Sequence, residues 1–125
     1  MNFDFTHEVD LANKLLICEA SGVAEQAIEI EHMLKNIVKL AGKSQVSSVV
    51  LDVTRLSLQY SAASMTTLMI TMSEQQWLAN IRIARLINAG DNTQHLIGEM
   101  AEKYQLPIRN FECRSDAMMW LLFNK

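Results

Sequence analysis

The sequence has little of what disulfide-bonded or metal-dependent proteins need. Its two cysteines, Cys18 and Cys113, are too few for a disulfide scaffold. Both lie in strand-like runs, so we expect them to be small buried residues of the core. The three histidines, His7, His32 and His95, have no metal-ligand spacing with Cys, Asp or Glu. The sequence therefore predicts a domain that folds without disulfides, metal ions or cofactors.

Basic runs and long hydrophobic runs are also missing. The chain has 11 Lys and Arg against 14 Asp and Glu, for a net charge of −3, and no cluster of the cations that nucleic acids attract. Its apolar runs are far shorter than a membrane span. The first ten residues, "MNFDFTHEVD", carry acids where a signal peptide has positive charge and an apolar run. We therefore expect a cytoplasmic protein that does not bind nucleic acid.

Catalytic signatures are missing as well. The sequence contains no Gly-rich phosphate loop, no nucleophile elbow and no HExxH pair. We assign no catalytic residue and predict a non-enzymatic protein.

What is present is a globular composition. Half of the 125 residues are apolar and a fifth are charged, which is typical of a chain that buries a core. Glycine and proline are scarce, with four and one residues, and apart from Gly98 they fall at the ends of periodic segments, as residues that interrupt helices and strands do. This length and composition predict a single domain over residues 1–125.

The first half of the chain reads as three strands and a helix. Residues 3–9 alternate apolar and polar, which is typical of an exposed edge strand, and residues 14–20 form the second strand. Residues 23–42 have helical apolar spacing, and Gly42 is expected to end that helix. The short apolar run 47–53 predicts a strand that is covered on both faces.

The second half repeats this alternation. A methionine-rich helix is expected to run from about Ser61 through Ala79, and the strand 81–90 follows it. The next predicted helix covers 91–106, with Asp91 as its N-cap and Gln94 in capping-box position. Its predicted core face consists of Leu96, Ile97, Met100 and Tyr104.

The end of the chain predicts one more strand and one more helix. Pro107 should close the preceding helix and open the strand 108–114. Ser115 should cap the last helix, residues 116–124. The whole order is then β-β-α-β-α-β-α-β-α, which predicts an α/β domain with a mixed, mostly parallel five-stranded sheet and four helices. The first strand should be the antiparallel one.

This order of elements and several sequence segments resemble the STAS fold, and in particular the SpoIIAA-like family, over about residues 12–122. The segments are "SGVA", "VVLDVTRL", "IRIARLINAG" and "FECRSDAMMWLL". The last is the sharpest, because Phe111, Ala117, Trp120 and Leu121 match the closing strand-to-helix pattern of the family. None of these segments is a catalytic signature, so the resemblance predicts fold better than function.

The resemblance implies a regulatory site at the start of the second helix. Anti-sigma-factor antagonists with this fold carry Asp-Ser-Ser-Gly there, and a kinase partner phosphorylates a serine in it. This chain has Tyr60-Ser61-Ala62-Ala63, so only Ser61 keeps its type. Ser61 is explained either as a helix cap or as a phosphorylation site in a regulatory protein-interaction module.

The same resemblance implies apolar ligands, because the SpoIIAA-like group is similar in fold to lipid-transfer domains of the CRAL-TRIO type. On a helical wheel Met65, Leu68, Met69, Met72 and Ala79 form one stripe, which should face the sheet. Methionine is flexible and polarisable, so a methionine-lined layer can open for a ligand more easily than a layer of branched residues.

Further apolar residues lie outside the expected core faces. Ile70 and Trp77 share a second line on the second helix, and the last helix carries Met118 and Leu122 on one line and Met119 and Phe123 on another. For the line on the second helix the open explanations are cover by a neighbouring helix or loop, a dimer face, a ligand entrance or a membrane-facing patch. For the last helix they are a homo-oligomer (dimer) contact, an apolar ligand or membrane surface, or plain exposure. The leading hypothesis is binding of an apolar small molecule, a lipid or a membrane surface through helices two and four.

Two polar residues stand out on the strands. Asp52 ends the predicted third strand, where α/β sheets place binding crevices, although a carboxylate there also commonly accepts from nearby backbone N–H groups. Arg85 shares strand parity with Ile81, Ile83 and Ile87 and should point into the core with them. A guanidinium in that place needs a carboxylate or carbonyl partner, either as a structural pair or at the mouth of a polar pocket.

Overall fold

Nine elements follow each other in the predicted order, and the computed structural model describes residues 3–123 of the chain. The strands are β1 (Asp4–Asp10), β2 (Leu15–Ala24), β3 (Ser48–Leu58), β4 (Arg82–Leu86) and β5 (Ile108–Phe111). The helices are α1 (Ala27–Ser44), α2 (Ala62–Gln75), α3 (Asn92–Lys103) and α4 (Arg114–Phe123). The predicted fold class, with five strands and four helices, is confirmed.

The strands lie in the sheet in chain order, from β1 at one edge to β5 at the other. β1 pairs antiparallel with β2, as predicted, and the remaining pairs are parallel. From β2 to β5, each parallel strand is added beside the preceding one in the same direction across the sheet. Because such crossovers share one handedness, the helices that make them, α1, α2 and α3, cover one face of the sheet. α4 packs on the opposite face, against β3, β4 and β5.

The two sides of the sheet have separate cores, which we call the three-helix face and the α4 face. Along β2 the side chains alternate between them: Leu16 and Cys18 point to the three-helix face, and Leu15 and Ile17 to the α4 face. Four of the five members of the predicted methionine stripe of α2 are buried on the three-helix face, namely Met65, Leu68, Met69 and Met72, whereas the fifth, Ala79, is exposed.

β2 and β3 are longer than predicted because they pair with each other beyond the central sheet. The pairing continues to Ala24 opposite Leu58, with a bulge after Asp52. Asp52 therefore lies inside β3 and does not end it, which corrects the expectation. The helix α1 correspondingly begins at Ala27 and not at residue 23, with a capping box between Gln26 and Glu29.

The helix ends also differ from those predicted. Gly42 lies inside α1, which ends two residues later where Gln45 adopts the left-handed conformation at φ 58°. α2 ends at Gln75, followed by Gln76 at φ 53°, and Gln105 has φ 56° after α3. Three glutamines thus take the backbone conformation that glycine usually supplies at a helix end.

Because α2 stops at Gln75, Trp77 and Ala79 are not on it, and the predicted line from Ile70 to Trp77 does not exist as a helical face. Trp77 is half-buried against the three-helix core, and the Nζ atom of Lys35 lies 4.6 Å from its ring centroid. Ile70 remains on α2 with 37% of its surface exposed.

The predicted core face of α3 is confirmed at Ile97, Met100 and Tyr104, which pack against the three-helix core, and is wrong at Leu96. Asp91 is its N-cap, as expected, and accepts from Gln94 N at 3.1 Å. Ile97 is buried, but Leu96 is 38% exposed and Met100 only half-buried. Ala101, which the prediction did not include, is also buried on this face, and Tyr104 is half-buried at the C-cap. The predicted capping box is wrong, because the Gln94 side chain points into the core and donates to Leu56 O.

The last strand ends earlier than predicted, and the last helix begins earlier. β5 ends at Phe111, so Cys113 lies beyond it and is exposed, whereas Cys18 is buried as expected. α4 begins at Arg114, so Ser115 lies in its first turn and does not cap it. The last residue of the predicted helix, Asn124, lies outside the described residues.

Within residues 3–123, no helix is long and apolar enough to cross a membrane.

Candidate functional site

The start of α2 places Ser61 on the surface. Ser61 is the N-cap, with φ −70° and ψ 157°, and its Oγ accepts from Ser64 N at 3.1 Å. The same hydroxyl donates to Ser64 Oγ at 3.0 Å, and both side chains are exposed. The capping interpretation of Ser61 is therefore confirmed, and capping leaves the hydroxyl accessible.

The first turn of α2, next to Ser61, carries no charged side chain. Thr66 and Thr67 donate to the carbonyls of Ala62 and Ala63, so these hydroxyls are held against the helix. An open groove of about 360 Å³ runs between α1 and α2 beside Ser64. Its lining is Ala27, Ile28, Glu31, Ala63, Ser64, Thr67, Leu68 and Thr71. The charged residue in this lining is Glu31.

Asp52 serves the backbone of the β3 bulge. Its Oδ1 accepts from Thr54 N at 2.9 Å and from Thr54 Oγ1 at 2.6 Å. Asn88, in the loop after β4, donates its Nδ2 to Thr54 O at 2.7 Å. The local interpretation of Asp52 is confirmed, since its carboxylate holds the bulge and the bulge anchors the neighbouring loop.

Arg85 points into the three-helix face, as its parity predicted, and is 5% exposed. Its Nη1 donates to Gln94 O at 3.3 Å and to Asn110 Oδ1 at 2.8 Å, and its Nη2 donates to Gln94 Oε1. Gln94 Nε2 then donates to Leu56 O at 3.1 Å, and Asn110 Nδ2 to Gln94 O at 2.9 Å. The partners of Arg85 are thus carbonyl and amide oxygens, and within residues 3–123 no carboxylate forms the acid pair that was the favoured prediction. The network joins β3, β4, α3 and β5.

Burial governs the electrostatics of this network. It lowers the pKa of Arg85, and the nearby Tyr60 and Asp91 oppose that shift. Burial raises the pKa of the Tyr60 phenol to about 12, and Arg85 opposes that shift in turn. At neutral pH the guanidinium is therefore charged and the phenol is neutral.

A glycine makes room for the network. A Cβ on Gly98 of α3 would lie 2.3 Å from Asn110 Nδ2, so any side chain at this position would displace Asn110. The sequence interpretation missed Gln94, Asn110 and Gly98. The parity of Arg85 signalled that a partner was needed, but no pattern indicated that amides of α3 and β5 would supply it.

A small cavity of about 40 Å³ lies next to Arg85, between the sheet and the three helices. Tyr60 and Arg85 line it together with apolar residues, including Met69 and Met72 of α2. This volume accommodates water or a small ion, whereas pockets for drug-sized ligands are roughly 300–1,000 Å³. Met69 and Met72 are therefore core residues around a space that is too small for an acyl chain, and Met65 is buried in the same core without lining that space.

The other apolar residues of the predicted ligand surface are divided between the two faces. Ile70 belongs to α2 on the three-helix face, whereas Met119 and Phe123 of α4 are 59% and 73% exposed on the opposite side of the sheet. Met118 and Leu122 are half-buried against the α4 core. Helices two and four therefore do not form one continuous surface.

Within residues 3–123, no three His, Cys, Asp or Glu side chains come together in an arrangement that could hold a metal ion.

Comparison with known proteins identifies the fold. No family model and no curated protein matches the sequence. Among solved structures, an anti-sigma factor antagonist from Mycobacterium paratuberculosis is 12% identical, with 94% of each chain covered and a TM-score of 0.57. The anti-sigma factor antagonist SpoIIAA in its unphosphorylated form is 13% identical over 93% of this chain and 94% of that chain, with a TM-score of 0.52. The chain therefore has the SpoIIAA-like STAS fold of these antagonists.

Proposed function

We propose that this chain is a non-enzymatic regulatory module that binds a partner protein through the start of α2, in the manner of anti-sigma factor antagonists. The observation that carries the proposal is the placement of Ser61. It is an exposed N-cap directly after the third strand of the sheet, where the resemblance to antagonists places their phosphorylated serine.

The geometry around Ser61 is suited to a switch. A phosphate on Ser61 Oγ would lie at the N-terminus of α2, where free N–H groups and the helix dipole favour negative charge. It would also add about −1.5 to −2 charges to a helix turn that has no charged side chain of its own. A partner that fits the neutral hydroxyl and the groove beside Ser64 would then meet a new charge, which lowers its affinity.

The residues that differ from the Asp-Ser-Ser-Gly motif of the antagonists change the surroundings of Ser61 but do not bury it. Tyr60 replaces the aspartate, and its ring is half-buried against the three-helix core. Ala62 and Ala63 replace serine and glycine and are exposed on the first turn of α2. We therefore expect a partner surface that is more apolar than one built to meet the antagonist motif.

The test is phosphorylation by a serine kinase of the anti-sigma-factor class, with phosphopeptide mass spectrometry. Wild type and Ser64→Ala should be labelled at residue 61, and Ser61→Ala should not. Calorimetric titration of the same kinase should show binding to wild type and at least tenfold weaker binding to Ser61→Asp. Labelling that persists in Ser61→Ala, or equal affinity for wild type and Ser61→Asp, would contradict the proposed site.

Lipid or membrane binding stays a prediction with less support. The residues that favour it are Met119 and Phe123, which are exposed on α4. Flotation of the chain with liposomes, compared with a Met119→Ser/Phe123→Ser variant, tests it directly. If the wild type does not float, the membrane interpretation is wrong.

A further inference from the structure

We infer that the cavity beside Arg85 binds a small monovalent inorganic anion, of the size of chloride or bromide. The inference does not depend on the proposed function, because it concerns the interior of the three-helix face and not the surface around Ser61. It rests on the partners of Arg85, on the cavity that Arg85 lines and on the second polar group in that cavity.

The hydrogen-bond partners of Arg85 are neutral oxygens and supply no counter-charge. A guanidinium has five N–H donors, and here they meet three neutral oxygens: Gln94 O, Gln94 Oε1 and Asn110 Oδ1. Among the described residues no carboxylate hydrogen-bonds to it. The acid whose charge acts on Arg85 is Asp91, and its carboxylate caps α3 by accepting from Gln94 N.

A buried cation in this state is costly. Removing a guanidinium from water carries a penalty of several kcal/mol, and the penalty is offset only by good hydrogen bonds together with an opposite charge. Neutral amide oxygens provide the hydrogen bonds. An anion in direct contact would provide the charge, and the low local dielectric would strengthen that contact.

The cavity has the size and lining that such an anion needs. Its volume of about 40 Å³ exceeds the roughly 10–15 Å³ that one water molecule requires. Apart from Arg85 the polar residue in its lining is Tyr60, whose phenol stays protonated because burial raises its pKa to about 12. A neutral phenol can donate to an anion. The remaining lining is apolar and includes Leu68 of α2 and Ile97 of α3, which favours a weakly hydrated monovalent ion.

Water is the alternative occupant, and it would hydrate Arg85 without adding charge. Thermal unfolding distinguishes a bound anion from water in the cavity. Sodium gluconate is replaced stepwise by sodium chloride or bromide at constant ionic strength. We expect a saturable rise in Tm, on the order of 5 °C at ten times the dissociation constant. Gluconate is too large for the cavity and should have no such effect.

Three variants locate the effect. Tyr60→Phe should weaken the apparent chloride affinity several-fold, and Arg85→Met should abolish the dependence. Arg109→Met is the matched control, because Arg109 is an exposed arginine on the neighbouring strand β5 and should leave the dependence unchanged. If Arg85→Met does not fold, the chloride response of Tyr60→Phe and anomalous diffraction from bromide-grown crystals still test the inference.

Anomalous diffraction from crystals grown in sodium bromide should show a peak between the Arg85 guanidinium and the Tyr60 hydroxyl. Equal Tm in chloride and gluconate, an undiminished chloride response in Tyr60→Phe, or a cavity that contains only water would each overturn the inference.

Discussion

The two faces of the sheet reach stability in different ways. On the three-helix face, α1, α2 and α3 together bury large side chains completely, among them Leu16, Ile37 and Met72. On the α4 face a single helix of ten residues covers β3, β4 and β5. There Ala117 and Leu121 are buried, whereas Met118 and Leu122 are covered on one side only.

The comparison shows that apolar side chains of a helix are buried to different extents on the two faces. Where three helices share one face, an apolar stripe is enclosed by neighbours on both sides. Where one helix lies alone, only the line of side chains that points at the sheet can be enclosed. The free energy of unfolding should therefore respond strongly to substitutions of buried side chains on either face, such as Leu16 on the first and Leu15 or Leu121 on the second, and weakly to substitutions on the outer lines of α4.

The largest expected effect is a cavity in the three-helix face. Met72→Ala, at a side chain that is 1% exposed, should lower the free energy of unfolding by roughly 2–5 kcal/mol. Met118→Ala makes the same change on a half-buried residue of α4 and should cost less than about 1.5 kcal/mol. Urea unfolding measures both. Equal losses would show that the α4 face is packed as tightly as the other.

A second test adds one methyl group on the three-helix face. Gly98→Ala should cost about 1–3 kcal/mol, because its Cβ would displace Asn110 and with it a hydrogen bond to Arg85. Gly42→Ala is the matched control within α1, where nothing lies within 4 Å of the new Cβ. It should stabilise by roughly 0.5–1 kcal/mol through helix propensity. A neutral Gly98→Ala would mean that Asn110 is not needed for the network.

The next effect separates the local cap of α2 from its core. Ser61→Ala removes the acceptor of Ser64 N and should cost about 0.5–2 kcal/mol. Ser61→Asp keeps an acceptor at the N-cap and should cost little. Ser64→Ala retains the capping bond, since Ser64 donates its backbone N–H, and should stay within about 0.5 kcal/mol of wild type. Thermal unfolding followed by circular dichroism distinguishes the three variants.

The smallest expected effect is on the outer side of α4. Phe123→Ser changes a side chain that is 73% exposed and should alter the free energy of unfolding by less than about 0.5 kcal/mol. Leu121→Ser, two positions away and buried, should unfold the domain far more easily.

Sedimentation of the wild type over a range of concentrations tests the predicted homodimer at the same surface. A monomer at every concentration would remove that prediction.

The same contrast explains how much of the fold was predictable from sequence. The core stripe of α2 was predictable because a local 3.6-residue period and burial coincide at Met65, Met69 and Met72. The edge position and antiparallel pairing of β1 were predictable from its alternation. These features depend on residues close together in the chain.

Element ends were not predictable, because they depend on distant partners. β2 and β3 extend to Ala24 and Leu58 only because each provides the other with hydrogen bonds. α2 ends before Gln76, a residue that gives no stop signal in sequence, so Trp77 was placed on a helix that does not reach it.

The residues of the candidate site also differ in whether their roles could be predicted from nearby sequence. The role of Ser61 as a cap is local and was predictable. The burial of Arg85 followed from strand parity, but the identity of its partners did not. Gln94 and Asn110 reach Arg85 only after α3 and β5 have packed, and Gly98 has significance only once Asn110 lies against it.

The glutamines at the helix ends leave this domain with room for improvement. Gln45, Gln76 and Gln105 adopt φ values of 53–58°, which an L-residue with a Cβ reaches only at some cost. Glycine would relieve that cost, although its greater freedom in the unfolded chain returns part of the gain. Each replacement should therefore raise stability by a few tenths of a kcal/mol at most. Heat resistance can thus be engineered at the connections, with the interior, the serine surface and the arginine network left untouched.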